Sequence, residues 1–229
     1  MTFITNIIDL IQEFQGLLLE ATWQTLYVVF LTTIIAYLLG TPMGILVVIS
    51  DAKSIAPNKI LNGILSWIIN IGRSIPFIIL LVALIPLTRW IMGTSIGPIA
   101  MIVPLTIAAT PFVARMIEQS LIEVDSGLIE MAQAMGATSG QIIWKVLLAE
   151  SLPSIVRGVS ITIINLIGYY AMAGAVGGGG LGDLAIRYGY YRNQSDVMIL
   201  TIILLVIIVE IVQRAGNSLA VKIDKRNIQ

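Results

Sequence analysis

The sequence predicts an all-α integral membrane protein with five transmembrane helices, its N-terminus outside and its C-terminus inside. Three observations lead there. The 229 residues are 57% hydrophobic and 11% charged, with a mean hydropathy of +0.95, whereas soluble domains carry about 25% charged residues. The apolar residues gather in runs long enough to cross a bilayer. The basic residues divide unequally between the segments that join those runs.

Residues 1–20 read as an amphipathic N-terminal helix. Phe3, Ile4, Ile7, Ile8, Ile11, Phe14 and Leu18 fall at helical spacing, while Asp9, Gln12 and Glu13 take other positions. That pattern suits a helix lying on the membrane surface. The opening MTFITNIIDL lacks the basic stretch of a secretory signal peptide. A transmembrane domain follows over 21–216. Its first span runs from about Trp23 to Ile49 and ends in the turn DAKSIAPNK. Ile60 to Trp90 is almost continuously apolar, and at ~1.5 Å per residue it would be about 45 Å long, too much for one straight crossing. Arg73-Ser74-Ile75-Pro76 interrupts it, so residues 60–72 read as an interfacial or partly buried lead-in to a second span from about Ser74 to Trp90. A third span covers about Ile96 to Ile117, a fourth about Ile155 to Val176, and a fifth Val197 to about Val212. Residues 217–229 form a cytoplasmic tail.

With the N-terminus outside, the inner side receives Lys53, Lys59, Arg115, Lys145, Arg157, Arg214, Lys222, Lys225 and Arg226. The outer side receives Arg89, Arg187 and Arg192, and Arg73 is unassigned. The positive-inside rule selects this orientation. It places the one polar segment in the middle of the chain, Glu118 to Pro153, in the cytoplasm.

That segment carries two sets of helix signals. Asp125 or Ser126 caps a short helix reaching about Met135, with Glu130 near its start. Gly136 breaks it, being free to turn left-handed. Thr138 with Gln141 makes a capping box for a second helix to about Glu150, which Pro153 resists continuing. Ile142, Ile143, Val146 and Leu147 form an apolar stripe on that helix. A helix, a glycine hinge and another helix on one membrane face suit insertion into a groove on a partner.

Composition narrows the chemistry. The net charge is zero, which argues against nucleic-acid binding. There is no cysteine and no histidine, so the thiol nucleophile, the commonest general base and the commonest metal ligands are missing. No metal site and no cofactor on this chain are expected, and an intramembrane enzyme is disfavoured. Gly177 to Gly182 matches GxGxxG, but no strand precedes it and no Gly-Lys-Ser/Thr follows, so it reads as a tight external turn. Gly40 and Gly44 form a GxxxG pair suited to helix packing or to a subunit contact. In the fourth span, Thr162, Asn165, Tyr169 and Met172 lie within about 80° of one another at 100° per residue. This face reads either as the lining of a translocation route with Met172 as a flexible plug, or as ordinary packing with Asn165 bonded to a neighbouring helix.

Glu130, Ala132 and Gly136, with Val146 and Leu148 beyond, resemble the EAA coupling motif of bacterial ABC-importer permeases. Met131 stands where that motif has alanine, and Ala149 where it has proline. Longer stretches, RSIPFIILLVALIPLTRWIMGTSIG, PLTIAATPFVARMIEQSLIEV and AMAGAVGGGGLGDLAIRYGY, are similar to the methionine-import permeases, and the likeness covers about residues 20 to 220. The resemblance implies a type I ABC-importer permease fold in the bacterial cytoplasmic membrane. It implies a homodimer, two ATP-binding cassette ATPase subunits carrying ATP and Mg, and an extracytoplasmic substrate-binding lipoprotein. It implies ATP-driven import of methionine by alternating access, with no hydrolysis by this chain. Carried onto this sequence, the coupling residues are Glu130, Ala132, Gly136, Ala137, Thr138, Gln141, Ile142, Val146 and Leu148. The alternatives are a permease for another small amino acid or a betaine, and a passive channel or scaffold.

Overall fold

The structure, a computed structural model, describes residues 2–52 and 54–224, with side chains from residue 14 onward. Among the described residues the regular structure is helical throughout: ten α-helices and three short 3₁₀ or π segments. Four helices are long and apolar enough to cross a membrane, and a fifth crossing arises if one bent pair counts as a span.

The first helix, α1, runs unbroken from Thr2 to Ile49. No break separates residues 1–20 from the first span, and the apolar part of the helix reaches from Phe14 to Ile49. The residues between, LLLEATW, include no glycine or proline to end a helix. Helix α2, Lys59–Ser74, is capped by the Asn58 side chain, which accepts a bond from the Leu61 N–H at 3.0 Å. It stops where Ile75 is extended, ahead of Pro76. The chain bends there by 100° into α3, Phe77–Ala83. The interruption expected at Arg73–Pro76 is therefore real. Helix α4, Ile85–Met92, ends on Gly93 in the left-handed region. Helix α5 follows over Pro98–Ile122, and α6 over Ser126–Ala134.

Next comes the main departure from expectation. Helix α7, Ser139–Ile142, passes through a π segment, Ile143–Leu147, straight into α8, Leu148–Ala173, with Pro153 inside it. Residues 139–176 form one candidate span of 38 residues. The stop expected near Glu150 and the fresh start near Ile155 do not occur. Proline removes one donor and crowds a carbonyl, and membrane helices absorb this by π adjustments and hydroxyl bonds. Both features stand on the turn before the proline: the Leu148 N–H bonds five residues back to Ile143, and the Ser151 hydroxyl donates to the Leu147 carbonyl at 2.6 Å, while the carbonyl that Pro153 itself leaves without a donor is that of Ala149.

The glycine-rich connection folds into α9, Gly180–Leu184, and a π turn, Ala185–Tyr190. Helix α10, Ser195–Ile223, continues well past Val212, so the expected tail from residue 217 begins inside a helix; residues 225–229 lie outside the described part.

The chain divides into two compact units. One comprises residues 1–33, 76–106 and 163–212, the other 34–75, 107–162 and 213–229. In the first, Phe14, Leu18, Ala21, Leu181, Leu184 and Val197 make a buried apolar cluster. There α9 packs on the end of α8 at backbone distance: a Cβ on Gly182 would lie 2.2 Å from the Ala171 carbonyl oxygen. In the second, Val47, Ile69 and Ala114 are buried together. Gly40 and Gly44 face α5 within that unit, where a Cβ on Gly44 would sit 2.5 Å from the Ala114 carbonyl oxygen. The GxxxG pair thus serves packing within the chain.

Gly182→Ala should lower stability by about 1–3 kcal/mol, because a backbone neighbour cannot step aside. Gly63→Ala, whose added methyl meets nothing within 4 Å, should not. Thermal unfolding of the two variants in the same detergent checks this.

Candidate functional site

The polar segment is built from local bonds at each of its ends. Asp125 opens α6, its side chain accepting from the Gly127 N–H at 2.6 Å. The helix closes on Gly136, which sits at φ +79°. The Gly136 N–H bonds to the Gln133 carbonyl at 2.9 Å, and the Ala137 N–H to the Ala132 carbonyl at 3.0 Å. Together these form a Schellman closure, which needs a residue free to turn left-handed at position 136. Two residues on, Thr138 and Gln141 make the capping box. The Thr138 N–H donates to the Gln141 side chain at 2.9 Å, and the Gln141 N–H to the Thr138 hydroxyl at 3.4 Å. Only Ala137 lies between the two closures, so α6 and α7 are joined by a short, fully bonded link.

The site residues named from the sequence are distributed as follows. Glu130 and Gln141 are exposed, as are Gly136 and Thr138; Ala132 and Ala137 are half-buried. Ile142 is 2% exposed and packs inside its own chain, as does Leu147. Val146 and Leu148 are half-buried. Between residues 126 and 147 the exposed large apolar side chains are Met131, Met135 and Trp144, at 56, 81 and 74% exposure, and Ile122 and Leu152 are exposed at the two ends of the segment. Of the apolar stripe expected on the second helix, Ile142 and Leu147 are turned into the chain, and Ile143 and Val146 are half-buried. Periodicity alone gave no signal for this: at 100° per residue the buried face of the following span, Leu147, Ser151 and Thr162, extrapolates back to Trp144, and it is the π segment Ile143–Leu147 that brings Ile142 round to that face instead.

Glu130 lines a cavity of about 510 Å³ together with Asp51, Asn62, Glu118 and Gln133. Glu118 is held by Arg115 through two bonds, at 2.7 and 2.8 Å.

On α8 the four proposed pathway residues separate into two pairs. Thr162 is fully buried; its hydroxyl donates to the Gly158 carbonyl at 2.8 Å and lies 3.4 Å from the Tyr37 hydroxyl. Tyr169 stacks on Phe77, ring centroids 4.6 Å apart and 5° from parallel. Asn165 is half-buried and has no hydrogen-bond partner among the described residues. Met172 is 50% exposed. Two of the four are thus engaged within the chain, and two are left open. The glycine-rich turn is bound from α1: the Gln24 side chain accepts from the Gly180 N–H at 2.8 Å, and the Thr25 hydroxyl from the Leu181 N–H at 3.0 Å. Gln24 and Thr25 were not foreseen, since nothing local pairs residues 156 positions apart. Among the described residues no group of three His, Cys, Asp or Glu side chains is placed to hold a metal ion.

Comparison with known proteins places this geometry. A family model described as a binding-protein-dependent transport system inner membrane component matches residues 40–218. A probable D-methionine transport system permease protein of Vibrio cholerae is 51% identical over 210 residues, covering 92% of this chain and 93% of the relative. A methionine import system permease protein of Bacillus subtilis is 42% identical over 207 residues, covering 90% and 93%. Among solved structures, a chain of the MetNI methionine ABC transporter in an inward-facing conformation superposes with a TM-score of 0.91 at 47% identity, covering 93% of this chain and 99% of its own. A chain of an amino acid ABC transporter crystallised with histidines reaches 0.77 at 19% identity, covering 93% and 96%, a likeness of fold alone.

Thr138→Ala removes one half of the capping box. It should cost the start of α7 about 1 kcal/mol, read as roughly fivefold faster hydrogen exchange at the amides of Ser139 to Gln141, with Thr138→Ser close to wild type.

Proposed function

The chain belongs to the family of binding-protein-dependent transport system inner membrane components, and we propose that within it this is the permease subunit of an ATP-driven methionine importer. It is a multi-pass inner-membrane permease and not itself an enzyme; ATP hydrolysis falls to a separate subunit. The single observation that carries the cargo is likeness across nine-tenths of the chain to permeases described as transporting D-methionine, at 51 and 49% identity, and to one described as importing methionine, at 42%.

The finer reading is as follows. The bent pair α2–α3 counts as one crossing, giving five spans, with the N-terminus outside and the C-terminus inside. The unequal division of basic residues supports this. The α6–α7 segment then faces the cytoplasm, where an ATPase binds it. Two permease chains assemble with two ATPase subunits, which carry ATP and Mg, and a binding protein delivers cargo at the outer face. This chain binds no cofactor. The route lies between the two permeases, with Asn165 and Met172 facing it.

The mechanism is alternating access through a lever. Closure of the ATPases moves α7. Since α7 is continuous with α8, the displacement enters the fourth span directly, without a hinge at Pro153. The Schellman turn and capping box keep α6 in step with α7. Met135 and Trp144, the most exposed apolar groups of the segment, supply the anchors in the ATPase groove, as large apolar residues do at interface centres. Met172 closes the route when the pump is at rest, an unbranched thioether repacking at low cost.

Vesicles holding this chain with its ATPase and binding protein should take up labelled methionine only with ATP. Trp144→Ala should cut that uptake about tenfold, the effect of losing one interface anchor, while leaving the chain's thermal unfolding unchanged. Met172→Ala should add methionine leak in the absence of ATP. Uptake indifferent to ATP would overturn the importer reading, and an unchanged leak would remove the gate.

A further inference from the structure

Among the cavities that this mechanism does not use, one has both apolar walls and a cationic side chain. It lies beside α4 and the start of α5, has a volume of about 200 Å³, and is walled by Leu81, Ile85, Ile96, Met101, Pro104 and Val176. Its polar lining consists of Thr88, Arg89 and Ser95. Thr88 is 2% exposed, and its hydroxyl has no hydrogen-bond partner among the described residues. A buried hydroxyl left alone is costly, and native proteins rarely leave one so unless a ligand or water completes it. Beside it, the Arg89 guanidinium donates to the Ser95 hydroxyl at 3.3 Å. A guanidinium carries five N–H donors in a planar fork, so most of its capacity remains unspent among the described residues.

We infer that this cavity is a binding site for a small amphipathic carboxylic acid, whose carboxylate is held by the Arg89 fork and the Thr88 hydroxyl and whose apolar side chain fills the pocket. Apolar walls with a few convergent polar groups are what small-molecule sites offer. Arginine recognises carboxylate with two parallel bonds. The lining holds no Asp or Glu, so an ammonium group gains nothing inside and points to the open mouth. The carboxylate is therefore required and the ammonium is not. Resting on the importer reading, the occupant is the imported amino acid itself, met at the outer end of the second span before it enters the route. A phospholipid at the same depth would present an anionic headgroup to Arg89, and the test separates the two.

The purified full-length chain in lipid-free detergent micelles is equilibrated with labelled L-methionine, then challenged with norleucine, hexanoate, methioninamide and phosphatidylglycerol. Norleucine and hexanoate should compete and methioninamide should not. Arg89→Gln should weaken binding about tenfold, the loss of a charged hydrogen bond, and Thr88→Val about fivefold, the loss of a neutral one. Thr88→Ser, which keeps the hydroxyl, should bind like wild type, and Arg187→Gln, outside the cavity, should change nothing. Binding insensitive to Arg89→Gln and Thr88→Val, or competition by methioninamide equal to that of norleucine, would overturn the inference. So would a cavity that takes phosphatidylglycerol and no methionine. ATP-dependent uptake in vesicles without binding to the chain would sink this site and leave the importer reading standing. Binding of norleucine and hexanoate with these sensitivities, but no methionine uptake, would do the reverse.

Discussion

Hydrocarbon offers no hydrogen-bond partner to a peptide group, and most of what this chain does with its backbone answers to that constraint. Regular structure among the described residues is helical throughout. Where the helical ladder is interrupted, the freed groups are bonded by something specific. Asn58 caps α2, and Thr138 with Gln141 caps α7. The glycine-rich turn is the most irregular stretch, with Gly177, Gly179 and Gly180 all at positive φ. Its groups are met by Gln24, by Thr25 and by the Tyr170 hydroxyl, which donates to the Gly178 carbonyl at 2.9 Å. Irregular backbone at membrane depth is tolerated where protein covers it, and here protein does.

The same requirement favours continuity at Pro153. The chain runs from α7 through the π segment into α8 without a break, so the polar segment and the fourth span are one rod. The link back to α6 is stiff for a different reason. Its two closures adjoin, the Ala137 N–H bonding back to the Ala132 carbonyl and the Thr138 N–H forward to Gln141, so the link has little slack.

One face of α8 divides between side chains tied into the chain and side chains left open. Thr162 and Tyr169 are tied into the chain, by hydroxyl contacts and by a stacked ring. Asn165 and Met172 stay open on the same face. An amide is costly against lipid, so leaving Asn165 unbonded within the chain fits a surface completed by water, cargo or a second permease. Thr88 poses the same question elsewhere, deeper and beside a guanidinium.

What was legible in the sequence was what arises from near neighbours. The 3.6-residue periodicity, the Asp125 cap, the Gly136 turn and the Thr138–Gln141 box each involve residues within a few positions, and each forms where the sequence places it. The interruption at Arg73–Pro76 belongs to the same class, because proline acts on the residue before it. The rest depended on partners distant in the chain. Which face of α7 is buried, that Pro153 is absorbed rather than obeyed, and that Gln24 and Thr25 hold the glycine-rich turn are decided by packing. A side chain's burial and a backbone group's last bond are properties of what lies against it, and only the tertiary structure brings those neighbours together.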